Sequence, residues 1–155
     1  MAVKKSALGQ SGRALPSMLN YAIHADKGSM FNTPPVFSVY VSMLTLRWIE
    51  EQGGIGAVEK VNRAKASLLY NELDRNSLFR TTVAKEDRSI MNVTFHLQNP
   101  ELEESFNNYW KSEGFVGLKG HRSVGGYRAS IYNAFSLEQT EALVQALAEF
   151  ERKHG

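Results

Sequence analysis

Apolar positions along this 155-residue chain fall into clear periods only from Asn32-Thr33-Pro34-Pro35 onward. Between Met1 and Asn32 no period is sustained, and Gly9, Gly12, Pro16 and Gly28 make the stretch read as connector rather than core. At the double proline the pattern changes. Thr33 suits an N-cap and a proline suits the first helical turn, where a missing N–H costs nothing, so a helix is predicted from about Pro35. Phe37, Tyr40, Val41, Leu44 and Trp48 share one face, and Val36, Val39, Met43 and Leu46 nearly close the circle. That distribution predicts a helix buried on most sides, interrupted only by a small-residue stripe of Ser38, Ser42 and Thr45 and ended by Gly53-Gly54.

A second helix is predicted from about Ile55 to Asp74, with Val58, Val61, Leu68, Leu69 and Leu73 inward and Lys60, Arg63 and Lys65 outward. Leu78–Thr82 is a short strand candidate. Met91, Val93, Phe95 and Leu97 alternate with Asn92, Thr94 and His96 as a half-buried strand requires, until Asn99-Pro100 breaks it. Leu102, Phe106, Tyr109 and Trp110 predict a third amphipathic helix stopped at Gly114, and Phe115–Leu118 and Arg128–Tyr132 read as further strands. Ser136 with Gln139 forms a capping box for a last helix that turns Leu143, Leu147 and Phe150 inward. The order helix, helix, strand, strand, helix, strand, strand, helix lacks the regular alternation of a doubly wound domain. It predicts an α/β chain of the α+β kind, with helices packed on a small, mainly antiparallel sheet.

Composition narrows the function classes. A 43% hydrophobic, 22% charged chain of this length is globular, and as a prior one domain. Eighteen Lys and Arg against sixteen Asp and Glu leave +2, too little for a protein that grips nucleic acid through many phosphates. With no cysteine there is no disulfide, thiolate metal site or thiol nucleophile, which fits a reducing cytoplasm. No stretch approaches the ~20 apolar residues of a membrane span. His24, His96, His121 and His154 show no metal-ligand spacing, so no metal is expected.

The densest chemistry lies in Lys119-Gly120-His121-Arg122-Ser123-Val124-Gly125-Gly126-Tyr127-Arg128. Arginine forks match carboxylate and phosphate oxygens, and glycines let backbone N–H groups come close to a ligand, which suggests a small-anion site. The same spacing fits a hairpin connection whose charges point into water. Asn32-Thr33-Pro34-Pro35 offers a second anion site at a helix N-terminus, although a plain N-cap is the simpler reading because prolines remove N–H donors.

Taken together, Pro16-Ser17-Met18-Leu19, Ile23-His24-Ala25-Asp26, Asn32-Thr33-Pro34-Pro35, Met91-Asn92-Val93 and the run from Gly120 through His121-Arg122 to Ala134 resemble the phosphoserine aminotransferase family. The resemblance runs in order from about Pro16 to Gly155. It implies the small C-terminal domain of a fold-type I transferase dependent on pyridoxal 5'-phosphate (PLP). Residues 1–34 would be a remnant of the large PLP domain and interdomain connector, and residues 35–155 the crossover helix and small domain. The implied activity moves an amino group between L-glutamate and 3-phosphohydroxypyruvate in serine biosynthesis, with a side role in vitamin B6 biosynthesis. The implied assembly is a cytoplasmic homodimer. Asn32 and Thr33 would bind the phosphate of PLP held mainly by the partner subunit, His121 and Arg122 the substrate phosphate, and Arg128 its α-carboxylate. The Schiff-base lysine of the family would lie upstream of Met1, so this chain contains no catalytic residue and is expected to be inactive alone. A non-enzymatic anion-binding or dimerisation module derived from that enzyme is the alternative.

Overall fold

The structure, a computed structural model, describes residues 2–155. Packing divides it into two compact units, Met1–Trp48 and Ile49–Gly155.

In the first unit, short 3-10 turns at Lys5–Ala7 and Ser17–Leu19 lead to helix α1 (Tyr21–Asp26). The Asn20 side chain caps α1 by accepting from the Ala22 N–H at 3.1 Å. Six residues are too few to impose a visible period, which is why the sequence pattern reads as connector there. Helix α2 (Val36–Glu51) begins one residue after the expected Pro35, and the Val36 and Val39 N–H groups bond to the Pro34 and Pro35 carbonyls. Thr33 therefore lies outside the helix and does not cap it. The expectation of burial is corrected more strongly. No α2 residue is buried, and Phe37 is 79% exposed. Apolar character all round a helix states how much surface needs cover; among the described residues none supplies it.

The second unit contains α3 (Gly54–Arg75), β1 (Phe79–Arg80), β2 (Asn92–Leu97), α4 (Glu103–Ser112), β3 (Tyr127–Ser130) and α5 (Leu137–His154). Gly53 and Gly54, both at positive φ, turn the chain between α2 and α3. The sheet is antiparallel in the order β1-β2-β3, with Phe79 opposite Leu97, Arg80 opposite His96, Thr94 opposite Arg128 and Phe95 opposite Tyr127. One face, carrying Phe79, Val93, Phe95, Tyr127 and Ala129, is buried in a single core with Leu69 and Leu73 of α3, Phe106 and Trp110 of α4, and Leu143, Leu147 and Phe150 of α5. Phe106 sits at the centre, with the Phe79, Tyr127 and Phe150 rings 4.8–4.9 Å away. The predicted capping box is present in full: Gln139 N–H donates to Ser136 Oγ at 3.1 Å and Ser136 N–H to the Gln139 side chain at 2.9 Å.

Three local expectations are corrected. Val61 is exposed, and Val58 and Leu68 are only half-buried. Lys65, expected outward, is fully buried. The buried residues of α3 are Asn62, Lys65, Ala66, Leu69, Tyr70, Glu72 and Leu73, a stripe at helical spacing that admits three polar members. Phe115–Leu118 is not a strand. Gly117 takes a left-handed φ of 74° and Val116 is 94% exposed, leaving only a bridge of Lys119 to Tyr127.

Candidate functional site

Alternation along β2 and β3 puts Asn92, Thr94, His96, Arg128 and Ser130 on the sheet face opposite the core. Arg128 is exposed there, across from Thr94. Just upstream, the expected loop closes on itself. Gly120 N–H donates to the Gly126 carbonyl at 2.8 Å, and Val124 and Gly125 N–H groups donate to the His121 carbonyl at 3.0 and 2.8 Å. A Cβ on Gly120 would stand 2.9 Å from the Gly126 carbonyl oxygen and closer still to that of Gly125, so only glycine permits this closure. Gly126, at φ 63°, leaves room for the His96 ring, which a Cβ would meet at 2.6 Å.

The loop's backbone N–H groups at Gly120, Ser123, Val124 and Gly125 are satisfied within the loop, which leaves side chains as its outward donors. His121 Nδ1 lies 2.8 Å from Ser123 Oγ and accepts from the Ser123 N–H at 3.3 Å. A neutral ring accepting at Nδ1 carries its proton on Nε2, leaving that N–H free for an anion. Arg122 is exposed, and neither it nor Arg128 pairs with a carboxylate among the described residues. Lys119 is turned aside to Glu103 at 3.7 Å. The structure thus brings His121, Arg122 and Arg128 onto one loop–strand hairpin, with Arg128 two residues into hydrogen-bonded β3.

Sequence reasoning missed what holds the far end of that strand. Lys65 Nζ donates to the carbonyls of Ile131, Tyr132 and Phe135 at 3.1, 2.8 and 2.7 Å. Burial pushes its pKa down, while the three carbonyls favour the ammonium, since a neutral amine has only two N–H groups to give. One turn earlier, Asn62 Nδ2 donates to Asn133 Oδ1 at 2.8 Å. Ser130 and Tyr132 hydroxyls both donate to Asn92 Oδ1, at 3.3 and 3.2 Å. The signal that could have found Lys65 was its position between Asn62 and Leu69 on the inward period of α3. Tyr127, at the loop's exit, is buried against Phe95 and Phe106, and desolvation raises its pKa far above the usual phenol range.

Asn32 and Thr33 belong to the first unit, where both are exposed. Asn32 Nδ2 donates to the Thr33 carbonyl at 3.4 Å. Pro34 and Pro35 have no N–H, so donors here are the Asn32 amide and the Thr33 hydroxyl, a set that fits phosphate oxygens. These residues suit the phosphate end of a cofactor such as PLP. Lys65, with all its N–H groups committed, offers no amine for the reacting end. His24 is occupied structurally, its Nε2 3.0 Å from the Met18 carbonyl and its ring against Phe31. Among the described residues no helix is long and apolar enough to cross a membrane.

Comparison with known proteins places this geometry. Residues 2–143 match the family described as aminotransferase class-V. The phosphoserine aminotransferase of Flavobacterium johnsoniae is 59% identical over 151 residues, covering 97% of this chain and 42% of the relative. That of Parabacteroides distasonis is 55% identical over 154 residues, covering 98% and 43%. The chain thus spans less than half the length of the curated relatives it matches. Among solved structures, a phosphoserine aminotransferase from Bacillus circulans subsp. alkalophilus superposes with a TM-score of 0.88 at 47% identity, covering 99% of this chain and 43% of that one. A PLP-bound phosphoserine aminotransferase from Trichomonas vaginalis gives 0.77 at 37% identity, over 86% and 39%.

Proposed function

The chain belongs to the aminotransferase class-V family, and from that premise we propose that it is part of a phosphoserine aminotransferase. The reaction is transfer of an amino group between L-glutamate and 3-phosphohydroxypyruvate, giving phosphoserine for serine biosynthesis and serving vitamin B6 biosynthesis as a second use. The observation that supports this reading is the hairpin that carries His121, Arg122 and Arg128, with both arginines unpaired among the described residues, in a chain whose relatives at 59% and 55% identity carry that name.

The roles follow from donor chemistry. Arg128, held in register on β3, offers its fork to the substrate α-carboxylate; two parallel hydrogen bonds fix the plane as well as the position of the acid. Arg122 and the free Nε2–H of His121 take the phosphate, with the glycines at 125 and 126 letting the backbone stay close. Asn32 and Thr33 donate to the phosphate of PLP, the remainder of whose site belongs to a partner subunit. PLP, when bound, supplies the electron sink through which the amino group is exchanged. Residues 1–34 correspond to the end of a large domain and connector, and residues 35–155 to the crossover helix and small domain. The uncovered apolar surface of α2 supports an assembly in which other polypeptide closes over it, and the assembly in this reading is a cytoplasmic homodimer.

The test is spectroscopic. Mixed with PLP and glutamate, this chain alone leaves the cofactor spectrum unchanged, and adding the upstream polypeptide of a relative produces pyridoxamine phosphate. Conversion by the chain alone would show that one of its own lysines does the chemistry. A second reading, a non-enzymatic module that binds phosphorylated small anions, is supported by the self-contained core of the second unit. It requires calorimetric binding of phosphoserine without PLP, lost in Arg122→Ala.

A further inference from the structure

The second unit contains seven arginines, and they divide sharply. Arg63 is bonded to Glu59, Arg75 to Glu72 and Glu151, Arg88 to Asp74, and Arg152 to Glu149. Arg80, Arg122 and Arg128 have no carboxylate within salt-bridge distance among the described residues. Two of these three are already placed in the anion site. The third, Arg80, comes from the other edge of the sheet, where no sequence motif pointed.

The register puts it on the same face. Arg80 is directly opposite His96, and opposed residues of an antiparallel pair project to the same side. Thr94, two residues along β2 from His96, is opposite Arg128. Arg80, His96, Thr94 and Arg128 therefore share the face turned away from the core, with β1 and β3 roughly 10 Å apart across β2. Between them stand Thr94 and His96 of β2. The place across β2 from Arg80 is filled by Gly126, and the His96 ring lies against that glycine. Both arginines are exposed, so a small molecule resting on Thr94 and His96 has a long cationic side chain on either side. Free cations on one face raise the local concentration of a multiply charged anion and reward one with negative groups at both ends.

We propose that Arg80 is a third anion contact of this face, acting with Arg128 to hold a small molecule that carries both a carboxylate and a phosphate. This rests on the reading of Arg128 as a carboxylate contact and extends it to the opposite strand. The face of this chain holds the anion by itself, with Arg80 joining His121 and Arg122 at the phosphate while Arg128 holds the carboxylate.

The experiment is titration of O-phosphoserine into the 15N-labelled chain at low salt, with shifts followed at the amides of β1, β2 and β3. Arg80→Gln weakens binding about three- to tenfold, the loss expected for one charge-assisted contact at an exposed site, and Arg80→Lys recovers most of it. Arg128→Gln weakens it at least as much. Thermal melts of all three variants match the unaltered chain, because neither side chain has a protein partner to lose. If Arg80→Gln binds as the unaltered chain does while Arg128→Gln does not, the role of Arg80 is overturned and the carboxylate reading of Arg128 stands. If neither substitution matters, both fall. Absence of saturable binding by the unaltered chain overturns the claim that this face holds the anion by itself.

Discussion

Helices α2 and α5 are similar in length and both are rich in apolar residues, yet they end in opposite states. Along α5 the apolar residues fall on one stripe, and Leu143, Ala146, Leu147 and Phe150 are buried against the sheet. Along α2 they fall all round, and none is buried. A one-sided stripe needs a single neighbour, which the same chain provides. A helix apolar on every side needs neighbours on every side, and among the described residues none covers α2. Apolar content therefore measures the demand for cover, and the distribution around the helix tells whether the chain can meet it.

Four variants sharpen this contrast. The largest effect belongs to the covered side: Phe106→Ala removes the ring at the meeting point of Phe79, Tyr127 and Phe150 and lowers stability by about 3–5 kcal/mol, read from urea unfolding. Lys65→Met follows at about 2 kcal/mol, because an apolar chain fills the space but leaves three backbone carbonyls without their donor. At the rim of the same helix, two hydrogen bonds from Arg88 hold the Asp74 carboxyl below its usual pKa. A depressed folded-state pKa means that this pair's stability is present above the ordinary carboxylate range, near pH ~4, and is lost as pH falls through the lowered value. Asp74→Asn therefore costs about 1 kcal/mol at pH 7 and progressively less below pH ~4, seen as a flatter acid limb in urea midpoints. The smallest change in stability comes from α2. Phe37→Ser with Leu46→Ser shifts unfolding by less than about 0.5 kcal/mol at a dilution where the chain is monomeric, since both side chains are exposed in the single chain, while at higher concentration light scattering moves toward monomer. A loss of several kcal/mol there would mean that α2 is covered in solution.

Much of the second unit was legible from residue pattern. Strict alternation from Met91 to Leu97 identified β2, and Ser136 with Gln139 identified the start of α5. The loop from Gly120 to Gly126 was legible as a tight glycine turn, and the structure closes it through the Gly120 N–H to Gly126 carbonyl bond. What could not be read was local conformation set from a distance. Phe115–Leu118 has strand composition, but the positive φ of Gly117 breaks it. Lys65 has the residue type of a solvated face, and its burial depends on three carbonyls contributed about seventy residues later. Thr33 has the residue type of a cap, but the helix starts beyond it.

By itself the sequence determined most of the segments that become helix or strand and the tight turns of the loop from Gly120 to Gly126. These follow from interactions between near neighbours: apolar period, capping pairs, and glycines at tight turns. Only the tertiary structure decided that Arg80 shares a face with Arg128, that an ammonium braces the end of β3, and that α2 lies bare. Each of these depends on which strand pairs with which and on what packs over a surface, and such long-range pairings leave no periodic mark along the chain.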